Sequence, residues 1–178
     1  MSITATKVAF DVFRALYGPE WGPRFLRLEA ERDQIGADDG LVELVDGPGP
    51  AVPSMDRLSP FSLDNLPEPV RLWVVRSEEV LHAQESCKFG QARADDGRIK
   101  HTNLTAGQPA FSGGELIFLG GNTLVVSGNS GRYGPRNAME MQDVAIAFRD
   151  SGYTVYSTGY DQEANRALPL VGPAPKLI

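Results

Sequence analysis

Between Asp46 and Pro69 the chain carries Gly47-Pro48-Gly49-Pro50, followed by Pro53, Pro60, Pro67 and Pro69. Proline lacks the N–H that a helix interior or a sheet ladder requires, so this stretch cannot be a regular helix or a central strand. An irregular segment of this length inside a compact domain is either functional or wrapped over the surface. Phe61, Leu63 and Leu66 give it apolar contacts with which to pack down. The regular layers must therefore come from the two flanks, and these differ in pattern.

The N-terminal flank is helical in period. Val8, Val12, Ala15 and Leu16 fall on one stripe, widened by Ala9 and Phe13. Thr4 or Thr6 can cap the start, and Gly18-Pro19 stops the helix. A second short helix is expected from Pro23 to Gln34, with Phe25, Leu26 and Leu28 as contacts and Gly36 as its stop. Leu41 to Val45 reads as a brief strand.

After Val70 the character changes. Arg71 to Arg76 is β-rich, and Val80 to Ala83 can pair with it. Phe89 to Ala94 and Arg98 to Leu104 flank Asp95-Asp96-Gly97, a hairpin signal. Glu115 to Leu119 and Thr123 to Ser127 flank Gly120-Gly121-Asn122, another. Pro135 and Asn137 open a helix whose Met141, Val144, Ala145 and Phe148 share a face, with Gly152 at its end. Tyr153 to Ser157 is a last strand. The pattern predicts one α+β domain over residues 1–178, an antiparallel sheet of about six to eight strands with the N-terminal helices and one helix near residues 136–150 packed on it. Within it lie a helical part (1–36), the Pro/Gly-rich region (37–69), a β-rich module (70–158) and a proline-containing tail (159–178).

Composition narrows the partners. Net charge is −6, and the lysines and arginines are scattered, which argues against a nucleic-acid face. Cys87 is the only cysteine, so no internal disulfide forms, and a semi-buried structural thiol is its plain reading. Lys7, Asp11 and Arg14 interrupt the apolar positions of the first helix, which is neither a signal peptide nor a membrane span. A cytoplasmic protein is expected, or one exported without a cleavable leader. Two histidines, His82 and His101, and one cysteine do not write a zinc site, and no metal is expected.

Candidate chemistry gathers between Lys100 and Pro135. His101 can orient a ligand hydroxyl or move a proton; it can equally be a histidine satisfied by the backbone. Glu115, after Gly113-Gly114, can serve as a general base or bind a ribose hydroxyl, or be a solvated strand-end carboxylate. In Asn129-Ser130-Gly131-Arg132-Tyr133-Gly134-Pro135, N–H groups at the helix start can meet an anion, Arg132 can clamp a phosphate or carboxylate, and Tyr133 can stack or donate its hydroxyl. The bland alternative is a glycine turn with an aromatic core anchor and a solvated arginine. The run has neither a Walker lysine nor a three-glycine dinucleotide fingerprint.

The order His101-Thr102, Ala106-Gly107, Gly114-Glu115-Leu116, a hydrophobic hairpin, then Ser130-Gly131-Arg132-Tyr133-Gly134-Pro135 and a helix resembles a known module. It is similar to the His-Ser-Ser, Ala-Gly-Glu, Ser-Gly-His-Tyr-x-Pro module of plant IQ-motif-containing calmodulin-associated proteins and of bacterial toxin or effector-like proteins. The resemblance covers Leu72 to Thr158, less than half of the chain. Each of its three motifs departs from it: His101-Thr102-Asn103 stands for His-Ser-Ser, Gly114 for alanine, and Arg132 for histidine. Arginine stays charged and cannot shuttle a proton, so binding survives that change better than acid–base work.

The resemblance implies a small bacterial effector or toxin-like domain with a nucleotide-type ligand site. By analogy with ADP-ribosyltransferase-like folds, His101, Tyr133 and Glu115 (or Glu163) take the catalytic parts with NAD as cofactor. Thr102, Ser130, Gly131 and Arg132 then bind the ligand, and a target or cognate immunity protein is the partner. The alternative is a non-catalytic acidic interaction protein, an immunity or adaptor protein, suggested by the net charge and the missing catalytic signature. Neither reading calls for nucleic acid or membrane.

Overall fold

A computed structural model describes residues 3–49, 58–120 and 122–178. Pro50, Pro53 and Gly121, which the sequence reading used, lie outside them. The chain is α+β. Helix α1 (Ala5–Tyr17) precedes strands β1 (Val42–Glu43), β2 (Arg71–Val75) and β3 (Val80–Gln84), a short helix α2 (Lys88–Arg93), and strands β4 (Ser112–Phe118) and β5 (Thr123–Ser127). Helix α3 (Ala138–Asp150) leads to β6 (Thr154–Ser157), a small β7–β8 ribbon (Tyr160–Asp161, Arg166–Ala167) and β9 (Lys176–Leu177). The main sheet has seven strands in the order β1-β3-β2-β4-β5-β6-β9. Every pair is antiparallel except β5–β6, whose parallel pairing requires the crossover that α3 supplies.

One face of the sheet carries the helices. Trp73, Val75, Leu116, Leu124 and Val126 pack there against Phe10 and Phe13 of α1 and Met141, Val144 and Phe148 of α3. The other face is covered by chain without long helices. Leu72, Val74, Leu81 and Ala83 meet Ile35, Ile99, Leu104 and Tyr133, while Ile117, Val125 and Tyr156 meet Leu170, with Leu58, Phe61 and Leu66 packed alongside. Thus the described part of the Pro-rich region does pack down, through Phe61 and Leu66, whereas Leu63 stays 79% exposed. The alternation of β4 leaves Glu115 on this second face, between the two clusters.

Local signals explain both long helices. Thr4 Oγ1 accepts from Lys7 N at 3.0 Å and Asn137 Oδ1 from Glu140 N at 2.8 Å, each satisfying a first-turn donor. Met141, Val144, Ala145 and Phe148 are all buried. Pro135 lies ahead of the cap rather than in the first turn, packed against Gly128.

Four expectations are corrected. In α1 the stripe of Val8, Val12 and Leu16 faces solvent, at 53, 60 and 63% exposure, while Ala9, Phe10 and Phe13 enter the core. Two phenyl rings bury more apolar area than branched aliphatics, and they decide which face turns inward. Residues 23–34 are extended with one 3-10 turn at Glu29–Arg32, because their donors are used elsewhere: Arg24 N meets Arg132 O at 3.1 Å, and Arg27 N and Leu28 N both meet Glu31 Oε2 at 2.9 Å. The Asp95-Asp96-Gly97 turn forms, but it joins α2 to the Ser86–Arg98 bridge instead of two strands, and His101–Leu104 is a 3-10 turn. A side chain at Gly90 would meet the Gly97 carbonyl at 2.7 Å, so this glycine permits the helix to fold back on the turn. Finally, residues 159–178 contribute the β7–β8 ribbon and sheet strand β9.

Candidate functional site

The residues singled out by sequence separate into three places. The first is a buried knot. Glu31, 1% exposed, accepts from Arg27 N and Leu28 N through Oε2 and from the Thr102 hydroxyl (2.8 Å) and Arg132 Nε (2.9 Å) through Oε1. The Arg132 guanidinium also lies 4.3 Å from the Phe25 ring centre. Burial pushes the Glu31 carboxyl upward, but the Leu28 and Arg27 N–H groups, Thr102 and Arg132 outweigh it and hold it below the usual range. Thr102 and Arg132 thus both meet a carboxylate inside the protein, and Arg132 also lines a cavity of about 250 Å³ with Arg27, Asp96 and Lys100.

His101 borders this knot. Its Nε2–H donates to the Gly114 carbonyl at 2.7 Å, and the ring is 7% exposed. Burial, with Arg132 and Lys100 adding to it against the Gly114 bond, brings its pKa to about 4, so the imidazole is neutral at pH 7. Tyr133 is fully buried. Its hydroxyl donates to the Gln108 carbonyl at 2.8 Å and shares a 2.9 Å hydrogen bond with Thr105 Oγ1. Both side chains hold the loops over β2 and β4. Gly114 belongs to the same packing: a Cβ there would lie 2.0 Å from the Ser127 carbonyl and 2.7 Å from the Trp73 ring.

The second place is the end of the parallel pair. The Gly128–Asn137 loop leaves the carboxyl end of β5 for the start of α3, and the β7–β8 ribbon follows the carboxyl end of β6. Ser127 Oγ and Thr158 Oγ1 both donate to Leu168 O, at 2.6 and 2.8 Å, and tie the ribbon's exit to the strand ends. Loop and ribbon enclose a cavity of about 430 Å³ lined by Arg24, Asn129, Ser130, Gly131, Arg136, Arg166 and their neighbours. Ser130 shapes the loop: its Oγ accepts from Arg132 N and Tyr133 N at 3.3 and 3.1 Å. Arg24 donates to Gly134 O at 2.9 Å and lies 4.7 Å from the Trp21 ring centre, and burial lowers its pKa. Arg136 pairs with the buried Glu140 at 3.1 Å. Arg166 is exposed.

The third place adjoins the second through Asn129. A cleft of about 800 Å³ on the loop-covered face is lined by Leu66, Val70, Glu85, Arg98, Glu115, Asn129 and Leu170, among others. Asn129 Nδ2 donates to Glu115 Oε1 at 3.3 Å and also lines the arginine cavity. Desolvation and the Glu85 carboxylate raise the Glu115 pKa to about 7, against the pull of Asn129 and Arg98. Glu85 is raised as well, by burial first.

Of the expected set, only Ser130 and Gly131 line the arginine cavity, and Glu115 lies in the neighbouring cleft. Glu163, the alternative carboxylate, is exposed in the turn that joins β7 to β8. Sequence reasoning missed Arg24, Arg136, Arg166 and Asn129. Asn129 opens the very run it inspected, without being given a role there, and Arg136 follows that run; Arg24 and Arg166 reach the loop from far along the chain and leave no local signal. No group of three or more potential metal ligands occurs among the described residues, and none of their helices is long and apolar enough to cross a membrane.

Comparison with known proteins adds no family. No protein-family model matches the chain, and neither a curated protein nor a solved structure matches it.

Proposed function

We propose that this protein binds a phosphate-bearing, nucleotide-type ligand in the cavity between the Gly128–Asn137 loop and the β7–β8 ribbon. One observation carries the reading: three arginines, Arg24, Arg136 and Arg166, line a single cavity in a chain of net charge −6, with Glu140 the one carboxylate paired to them among the described residues. The location supports it, since ligands of sheets with parallel strands bind outside the carboxyl ends, where a loop leads into a helix. Arginine forks match the oxygens of phosphate in number and plane. The adjoining cleft gives room for the rest of such a ligand.

NAD is the member of this class that the analogy with ADP-ribosyltransferase-like folds brings forward, and an effector or toxin-like transferase of ADP-ribose is the activity to test. Glu115 is the residue available for proton transfer, because a carboxyl with a pKa of about 7 exchanges protons at neutral pH. His101 and Tyr133 take packing roles in this reading.

Calorimetric titration with inorganic phosphate, ADP and NAD tests it. Binding should weaken as salt is added, and Arg24→Ala and Arg166→Ala should each lose about tenfold in affinity, the equivalent of one charge-assisted hydrogen bond. Release of nicotinamide from NAD, abolished in Glu115→Gln, would add the transferase step. A folded protein giving no heat with any of the three ligands at millimolar concentration overturns the proposal.

A further inference from the structure

Helix α1 turns a complete apolar stripe to solvent. Val8, Val12 and Leu16 are 53, 60 and 63% exposed, and Ile3 and Met139 are 75 and 71% exposed. Isolated exposed aliphatics are ordinary on a protein surface; a contiguous row at helical spacing is not. The three α1 residues lie four apart, so they run for about two helical turns, roughly 12 Å. Beside them α3 offers Asp143, Ile146 and Asp150. The two helices enclose a groove of about 400 Å³, with Ala9, Phe13 and Ala147 also lining it.

The charge at this groove has one sign. Asp143 and Asp150 line it, and no lysine or arginine does among the described residues. Asp143 accepts from the Tyr17 hydroxyl, which leaves its charge in place, and Asp150 has only an exposed contact with Arg149 at 3.1 Å. Such a surface pair is weak. A second copy of this chain would bring four carboxylates together, and an anionic lipid surface would be repelled.

We infer that the α1–α3 groove is a docking site for a basic amphipathic helix of a protein partner. The partner's apolar residues, repeating at three and four positions, would lie along Val8, Val12 and Leu16, and lysines or arginines beside them would meet Asp143 and Asp150. The site is on the helix-covered face of the sheet and does not depend on the ligand reading above.

A fluorescent synthetic helix tests this. It carries leucine at one, four, five and eight, repeated, with lysine flanking the leucines; a control carries glutamate in place of lysine. Anisotropy should report micromolar binding of the lysine helix and at least tenfold weaker binding of the glutamate helix. Amide NMR shifts should concentrate at Val8, Val12, Leu16 and Ile146. Val12→Asp, at a solvent-facing position, should lower the affinity about tenfold without changing Tm, and Asp150→Lys should reverse the preference between the two helices. Equal affinity for both helices, shifts outside the groove, or no binding overturns the inference. A concentration-dependent dimer in sedimentation that buries Val12 also overturns it, by giving the groove to a second copy.

Discussion

Arg132 and Arg136 leave the same loop four positions apart, and both reach a buried carboxylate. Around Arg132 the charges balance, one guanidinium against one buried carboxylate. Glu31 takes two N–H groups, a hydroxyl and a guanidinium, and the arginine side chain is only 12% exposed. Around Arg136 they do not balance: Arg24, Arg136 and Arg166 share one cavity with one paired carboxylate among the described residues, and the Arg136 side chain is 46% exposed. Similar residue types give a structural fastening where one guanidinium meets one buried carboxylate, and a candidate ligand site where guanidiniums outnumber the carboxylate paired to them.

Breaking the balanced side should have the largest effect. Glu31→Ala strands Arg132, the Thr102 hydroxyl and the Arg27 and Leu28 N–H groups, and should cost about 3–5 kcal/mol, as removal of one partner of a buried pair does. Denaturant unfolding reads this directly; a loss under about 1 kcal/mol would mean that water replaces the carboxylate easily and that the knot is no different from the arginine cavity.

The pH dependence is the next largest. His101 and His82 are held at about 4 in the folded protein, by burial first, against an ordinary value of 6.5. The unfolded chain therefore binds more protons between those limits. Their contribution is fully present above pH 6.5 and is lost as the pH falls toward 4, at up to about 1.4 kcal/mol per pH unit for each. Unfolding free energies measured across this window, with NMR titration of each imidazole, test it. A His101 ring that titrates near 6.5 would remove it from the buried knot.

Glu115 should show the smallest effect, of opposite sign. Its folded pKa of about 7 lies above the ordinary 4.5, so the folded state binds more protons and stability falls as the pH rises between those values. Glu115→Gln should therefore stabilise the protein at pH 8, by on the order of 1–2 kcal/mol. Thermal melts at pH 5 and pH 8 separate the cases; a destabilised variant at pH 8 would show that the charged carboxylate is held by Asn129 and Arg98 and belongs with the balanced side.

Much of the architecture was legible because it is written in local patterns. The Thr123 to Ser127 strand, the Asn137 cap and the buried face of Met141, Val144, Ala145 and Phe148 follow from alternation, capping and helical period. The Pro23 to Gln34 helix failed because Glu31 captures its backbone donors and Arg132 O takes another. The α1 stripe pointed outward because Phe10 and Phe13, on the competing face, fill the space beneath the sheet better. The candidate site was legible only as a stretch of chain. Ser130 and Gly131 were placed in it, but the arginines around them come from Arg24, over a hundred positions earlier, and from Arg166 on a ribbon that read as tail.

From the sequence alone came an α+β chain, a strand-rich middle, a helix after Asn137 and a surface segment that proline keeps irregular, since each rests on hydrogen bonds and periods within a few residues. Only the tertiary structure decided that His101, Thr102, Arg132 and Tyr133 face inward, that three guanidiniums line one cavity, and that Val8, Val12 and Leu16 face out. Those outcomes depend on which distant group reaches a donor, an acceptor or an empty volume first, and no local pattern of residues carries that information.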